Sequence, residues 1–157
     1  MFNLDIRHTK FSNHIVIIDT KMELNILVAE DYIDLAESYK TALQVRGHFV
    51  TITRDGIECL QAYKDHIKLE NMKGSSYFDI VILDQQMPRM DGIDVAKEIQ
   101  QLNPQQRIIF ITGYDNNIMK NLRQINENVE IMNKPFTLQA LINQVEGMVS
   151  PPVARTD

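Results

Sequence analysis

The chain has 157 residues, of which 44% are hydrophobic and 24% charged, a balance that suits one globular domain with a full core and disfavours disordered or membrane-embedded classes. Its net charge of −5, with no basic stripe, argues against direct nucleic-acid binding and leaves a basic protein partner open. The single cysteine, Cys59, excludes an intrachain disulfide framework, and its place beside Ile57, Leu60 and Tyr63 at helical spacing marks it as a small buried hydrophobe. The longest apolar runs are too short to span a bilayer and the start lacks a secretory pattern, so no membrane insertion and a cytoplasmic location are expected.

From Asn25 onward, short β-like runs alternate with amphipathic helical stretches, the pattern of a parallel sheet with helices on both faces. Residues 26–29 form a compact apolar run and a first strand; Leu35, Tyr39, Ala42 and Leu43 then share one helical stripe that Gly47 stops. Residues 49–53 read as a second strand, and Ile57, Leu60, Tyr63 and Ile67 mark a second helix. The polar residues 68–77 extend the connection that follows it. Residues 78–83 lack polar alternation after Asp79, as expected of a central strand covered on both faces. A turn-rich loop, 87–92, leads to a third helix lined by Ile93, Ala96 and Ile99, with Pro104 at its exit. Residues 107–112 are a fourth strand, Asn116 or Asn117 caps a fourth helix carrying Met119 and Leu122, and 129–132 are a fifth strand. Thr137 caps a last helix with Leu138, Leu141, Ile142, Val145 and Val149, which Pro151 and Pro152 end. The expected division is an N-terminal extension over 1–23 (an extra edge strand or a poorly ordered segment), a domain over 24–149 and a tail over 150–157.

Polar residues recur at one place in successive units, just past the carboxyl end of a strand. Glu30 and Asp31 follow the first strand, Asp84 ends the third, Thr112 ends the fourth and Lys134 follows the fifth. In an open parallel sheet those ends converge on one rim, at the crevice where strand order reverses. Three acids there repel one another unless a cation is bound, and carboxylate oxygens with room for waters suit Mg²⁺. A lysine and a hydroxyl beside them supply the charge neutralisation and directed hydrogen bonds that a transferred phosphoryl group needs. Singly, each residue has a plainer reading, since Asp31 could cap a helix and Thr112 could be a solvated strand end. Their joint occurrence, in order, favours chemistry.

The runs Ile26-Leu27-Val28-Ala29-Glu30-Asp31, Val81 through Gly92 with Asp84-Gln85-Gln86-Met87-Pro88-Arg89-Met90-Asp91-Gly92 at its centre, Ile109-Phe110-Ile111-Thr112-Gly113 and Asn133-Lys134-Pro135-Phe136 resemble the receiver domain of two-component response regulators. The resemblance implies an α/β, doubly wound, five-stranded parallel sheet in the flavodoxin-like order 2-1-3-4-5. It also implies that Asp84 is the phosphoacceptor, that Thr112 and Lys134 contact the phosphoryl group, and that Glu30, Asp31, Asp84 and the backbone carbonyl of Gln86 hold Mg²⁺. Gly113 would keep the wall beside the phosphoryl group small, and Pro135 would follow a cis peptide. The implied partners are a sensor histidine kinase or histidine phosphotransfer protein and an unidentified downstream protein, with homodimerisation through the fourth helix, fifth strand and last helix left open. Such a protein is a switch rather than an enzyme, catalysing only its own phosphorylation and slow dephosphorylation.

Two departures stand out. The stretch between Asp31 and Asp84 is longer than usual for the family, and the excess maps to 68–77, away from the rim. Ile131 stands three residues before Lys134, where the family usually carries an aromatic ring that turns inward on activation. Switching is therefore expected to rest on Thr112, Tyr114 and the fourth helix. Gln86 and Tyr114 occupy the two positions that tune the lifetime of the phosphoryl group in the family. Two other classes fit less well. A hydrolase working through an aspartyl phosphate needs an acid two residues past its nucleophile, where this chain has Gln86, and a non-phosphorylated binding module would have no use for the complete rim. With only a short tail after the last helix, a stand-alone regulator acting by protein contact or onward phosphoryl transfer is expected.

Overall fold

The computed structural model describes residues 22–71, 78–113 and 127–147, with the side chains of 69–71 excepted. Five strands, β1 (Asn25–Ala29), β2 (Phe49–Thr53), β3 (Ile80–Asp84), β4 (Arg107–Thr112) and β5 (Val129–Asn133), form one parallel sheet in the order β2-β1-β3-β4-β5. Four helices are described: α1 (Ile33–Val45), α2 (Gly56–Asn71), α3 (Gly92–Leu102) and α4 (Leu138–Val145). The doubly wound architecture and strand order expected of the family are both present.

Side chains alternate across a strand, so one apolar run can serve two cores. Leu27, Ala29, Val81, Leu83, Ile108 and Phe110 face one side, where Cys59 and Tyr63 of α2 and Val95, Ala96 and Ile99 of α3 cover them. Ile26, Val28, Ile80, Ile82, Ile109 and Ile111 face the other, against Tyr39 and Leu43 of α1 and Leu141, Ile142 and Val145 of α4. Every residue of β3 is buried, which is why that strand shows no polar alternation. Cys59 is fully enclosed, and burial pushes its thiol up to about 12, so it is an inert packing group.

Several boundaries differ from the sequence expectation. Residues 68–71 continue α2 instead of opening the long connection, because helical hydrogen bonds need no apolar stripe to propagate for one more turn; residues 72–77 lie outside the described residues. Ile57 sits in the first turn of α2 and is exposed, so it does not belong to that helix's buried face. Phe78 is buried ahead of β3, which begins at Ile80. The N-terminal extension to residue 21, Tyr114, the fourth expected helix, Val149 and the tail also fall outside the described residues. Thr137 caps α4 as expected, its hydroxyl accepting from Ala140 N–H at 3.1 Å. Gly47, at φ +94, follows α1 in the left-handed conformation that suits a helix stop.

Candidate functional site

The strand order reverses between β1 and β3, and there the carboxyl ends of β1, β3, β4 and β5 bring the expected polar groups together. Glu30, Asp31 and Asp84 each present a carboxylate oxygen within 4.8 Å of the others. Their environments differ. Glu30 and Asp84 are buried, whereas Asp31 is exposed. Asp31 does not cap α1; Tyr32 holds the cap position without a side-chain bond, which leaves the Asp31 carboxylate available.

Lys134 binds the cluster together. Its Nζ donates to Asp84 Oδ1 at 2.6 Å and lies 3.5 Å from Glu30 Oε2, an ion-pair distance without hydrogen-bond geometry. The Lys134–Pro135 peptide is cis, as the family resemblance implies. Asp84 Oδ2 accepts from Gln86 N–H at 3.0 Å, and Glu30 Oε1 accepts from Tyr32 N–H at 3.1 Å. Glu30 Oε2 is the one buried side-chain polar atom among the described residues with no hydrogen bond. Desolvation, reinforced by the charge of Asp84, raises the Glu30 pKa above its ordinary value. Burial works to lower the Lys134 pKa, but the hydrogen bond and charge of Asp84, with the charge of Glu30, outweigh it and raise that pKa. One lysine thus serves two buried acids while a third stands beside them.

The donor set fits a hard divalent cation. Carboxylates from two strand ends converge, one is an orphaned buried oxygen, and one is open to solvent where coordinating waters can enter. The cation would supply the charge that a single shared lysine leaves missing.

Thr112 is fully buried at the end of β4, and its hydroxyl lies within donating reach of both Gln85 Oε1 and the Gly113 carbonyl oxygen. Sequence reasoning missed Gln85: in a Gln-Gln pair nothing local shows which side chain turns toward the strand-four end. A Cβ added to Gly113 meets nothing within 4 Å, so its smallness is not imposed by packing among the described residues. Gly92 is different, because a Cβ there would lie 2.2 Å from the Asp84 carbonyl oxygen. Only glycine lets α3 begin so close to the strand end carrying Asp84. Asp91 caps that helix, accepting from Asp94 N–H at 3.0 Å.

An open α/β sheet thus carries three acids, a lysine and a hydroxyl at its switch point. The family profile of the response regulator receiver domain matches residues 26–146, well over half of the chain. The chain belongs to the response regulator receiver domain family, a signalling switch of two-component systems rather than a classical enzyme. It is 28% identical over 124 residues to the response regulator receiver protein CpdR of Brucella abortus, an alignment covering 79% of this chain and 95% of that protein. It is 26% identical to the response regulator MprA of Mycobacterium ulcerans, covering 82% of this chain but about half (51%) of that protein. Among solved structures, the receiver domain of the Francisella response regulator 1452 superposes with a TM-score of 0.63 at 25% identity, covering 80% of this chain and 96% of that one. No helix among the described residues is long and apolar enough to cross a membrane.

Proposed function

We propose that this receiver takes a phosphoryl group onto Asp84 from a phosphohistidine, with Mg²⁺ held by Glu30, Asp31, Asp84 and the Gln86 carbonyl. The observation that carries the reading is the charge arrangement at the rim, where Lys134 donates to Asp84 and faces, at 3.5 Å, the buried Glu30 Oε2 that has no hydrogen bond. Structural ion pairs are normally satisfied on both sides; a cluster left short of positive charge is poised to accept more.

Asp84 acts as a carboxylate nucleophile. One of its oxygens attacks phosphorus, an acyl phosphate bond forms, and the bond from phosphorus to the donor's imidazole nitrogen breaks, with the electron pair leaving on that nitrogen. Magnesium, when bound, neutralises charge on the phosphoryl oxygens and the surrounding acids. The Gln86 N–H orients Asp84 through Oδ2, and Lys134 supplies a cation that can pass from the free carboxylate to the phosphoryl oxygens. Thr112 donates its hydroxyl to a phosphoryl oxygen, giving up its present acceptors and drawing the end of β4 inward.

Output then proceeds by protein contact or onward phosphoryl transfer, with a histidine kinase or phosphotransfer protein as donor. A cytoplasmic location belongs to the same proposal. The test is labelling with a phosphoramidate or acetyl phosphate donor. The unaltered chain should acquire a hydroxylamine-sensitive phosphate only when magnesium is present, and Asp84→Asn should acquire none while remaining folded. Acid-stable labelling of Asp84→Asn would move the acceptor to a hydroxyl and overturn the assignment.

A further inference from the structure

The loop between β3 and α3 carries Gln86, and it is held in an unfavourable shape. Arg89 has φ +66, a left-handed conformation that a long side chain adopts rarely and at a cost. The turn around it closes tightly, with Met90 N–H donating to the Pro88 carbonyl at 2.8 Å. Such a conformation persists only where its surroundings enforce it.

Two contacts from the start of α2 do so. The Arg89 guanidinium donates to Asp55 Oδ2, while Asp55 Oδ1 accepts from Glu58 N–H at 2.9 Å and caps α2. Gly56 lies directly beneath the loop, where a Cβ would come within 2.2 Å of the Met90 carbonyl oxygen and 2.8 Å of both Met90 Cβ and Val95 Cγ2. The loop is also tied to the sheet at its start, through Gln85 N–H to the Ile111 carbonyl at 2.9 Å, and closed on itself, through Gly92 N–H to the Gln85 carbonyl at 3.0 Å. What these contacts enclose is the segment whose backbone hydrogen-bonds the Asp84 side chain, through the Gln86 N–H to Oδ2 at 3.0 Å.

We infer that Asp55 and Arg89 form a clasp that positions Gln86, fixing its amide on Asp84 and its carbonyl toward the metal. The clasp rests on the magnesium reading above and adds to it two positioning residues that touch neither metal nor phosphoryl group. Outer groups of this kind commonly govern metal affinity because they set the orientation of the inner ligands.

The test separates positioning from simple stability. In Arg89→Gly the positive φ becomes cost-free, so a purely structural role predicts a protein as stable as the parent or more so. The clasp predicts that magnesium, titrated calorimetrically into the full chain, binds about tenfold more weakly while the thermal midpoint in EDTA holds. Arg89→Asn, which also tolerates the left-handed region but is too short to replace the guanidinium, should behave alike. Asp55→Asn keeps the helix cap, weakens the ion pair and should show a smaller loss, and the double variant should be no weaker than Arg89→Gly alone. Normal magnesium binding by the unaltered chain with unchanged affinity in all three single variants overturns the clasp and leaves the metal reading standing. An unaltered chain that binds no magnesium overturns both.

Discussion

Glu30 and Glu146 sit at opposite ends of the sheet and are treated in opposite ways. Glu146, just after α4, accepts from Arg46 Nε and Nη2 at 2.8 Å each, and His48 Nε2 lies 3.3 Å from its Oε1. His48 Nδ1 in turn accepts from Leu24 N–H, which leaves Nε2 as the donor to Glu146. The hydrogen bond from Arg46 outweighs burial and lowers the Glu146 pKa. Nearby in the same layer, Arg107 is used to the full, binding Glu130 and the carbonyls of Val145 and Gln144 at the end of α4. Glu30, by contrast, has an oxygen without a hydrogen bond, a shared lysine and a raised pKa. The same residue type is a finished structural tie at one end and an unfinished site at the other. What distinguishes them is the ratio of cations and donors to acids, not the presence of charge.

The sharpest way to break this contrast is to remove a rim carboxylate that makes no hydrogen bond or ion pair among the described residues. Asp31→Asn should weaken magnesium by at least about tenfold, since even outer partners of a metal site cost that much, and should block labelling by acetyl phosphate. Calorimetric affinity equal to that of the parent chain would take Asp31 out of the site.

A paired substitution with Gln tests the two glutamates directly. At neutral pH, Glu146→Gln should cost about 1–2 kcal/mol, a figure held down because the Arg46 side chain is 44% exposed. Its folded pKa is depressed, so this stability is present above the ordinary value of 4.5 and disappears as pH falls through the lower folded value. Glu30 has the reverse sign. In the pH window above 4.5 the folded chain holds a proton that the unfolded chain has lost, so metal-free stability falls as pH rises through it. Glu30→Gln should therefore raise metal-free stability at neutral pH and flatten that slope. Urea unfolding across the pH range in EDTA reads both. Changes of the same sign in the pH slope on the two substitutions would abolish the contrast.

The smallest expected effect concerns Ile131. It is only partly buried, opposite Phe110 in the β4–β5 register and against the core on the α2–α3 side. Ile131→Ala should cost about 1 kcal/mol, below the roughly 2–5 kcal/mol of a fully enclosed aliphatic chain. The amide shifts of Thr112 and Gly113 on adding beryllofluoride should persist in it and vanish in Thr112→Ala. Their loss in a folded Ile131→Ala protein would make Ile131 part of the relay.

What the sequence determined by itself was whatever depends on neighbours along the chain. Alternating apolar residues specify strands, 3.6-residue stripes specify helices, and Thr137 and Gly47 mark helix limits, because each signal is completed within a turn or a strand pair. The rim was legible for the same reason: in a parallel sheet every strand's carboxyl end falls on one side, so Glu30, Asp31, Asp84, Thr112 and Lys134 could be gathered without knowing any distance. Their differences in environment were not legible. Only packing decided that Glu30 is buried with an unbonded oxygen while its neighbour Asp31 is exposed, that Gln85 reaches Thr112, and that Arg89 crosses to Asp55. Hydrogen bonding and desolvation depend on what lies within a few ångströms in space, and residues brought that close from distant parts of the chain leave no periodic trace in it.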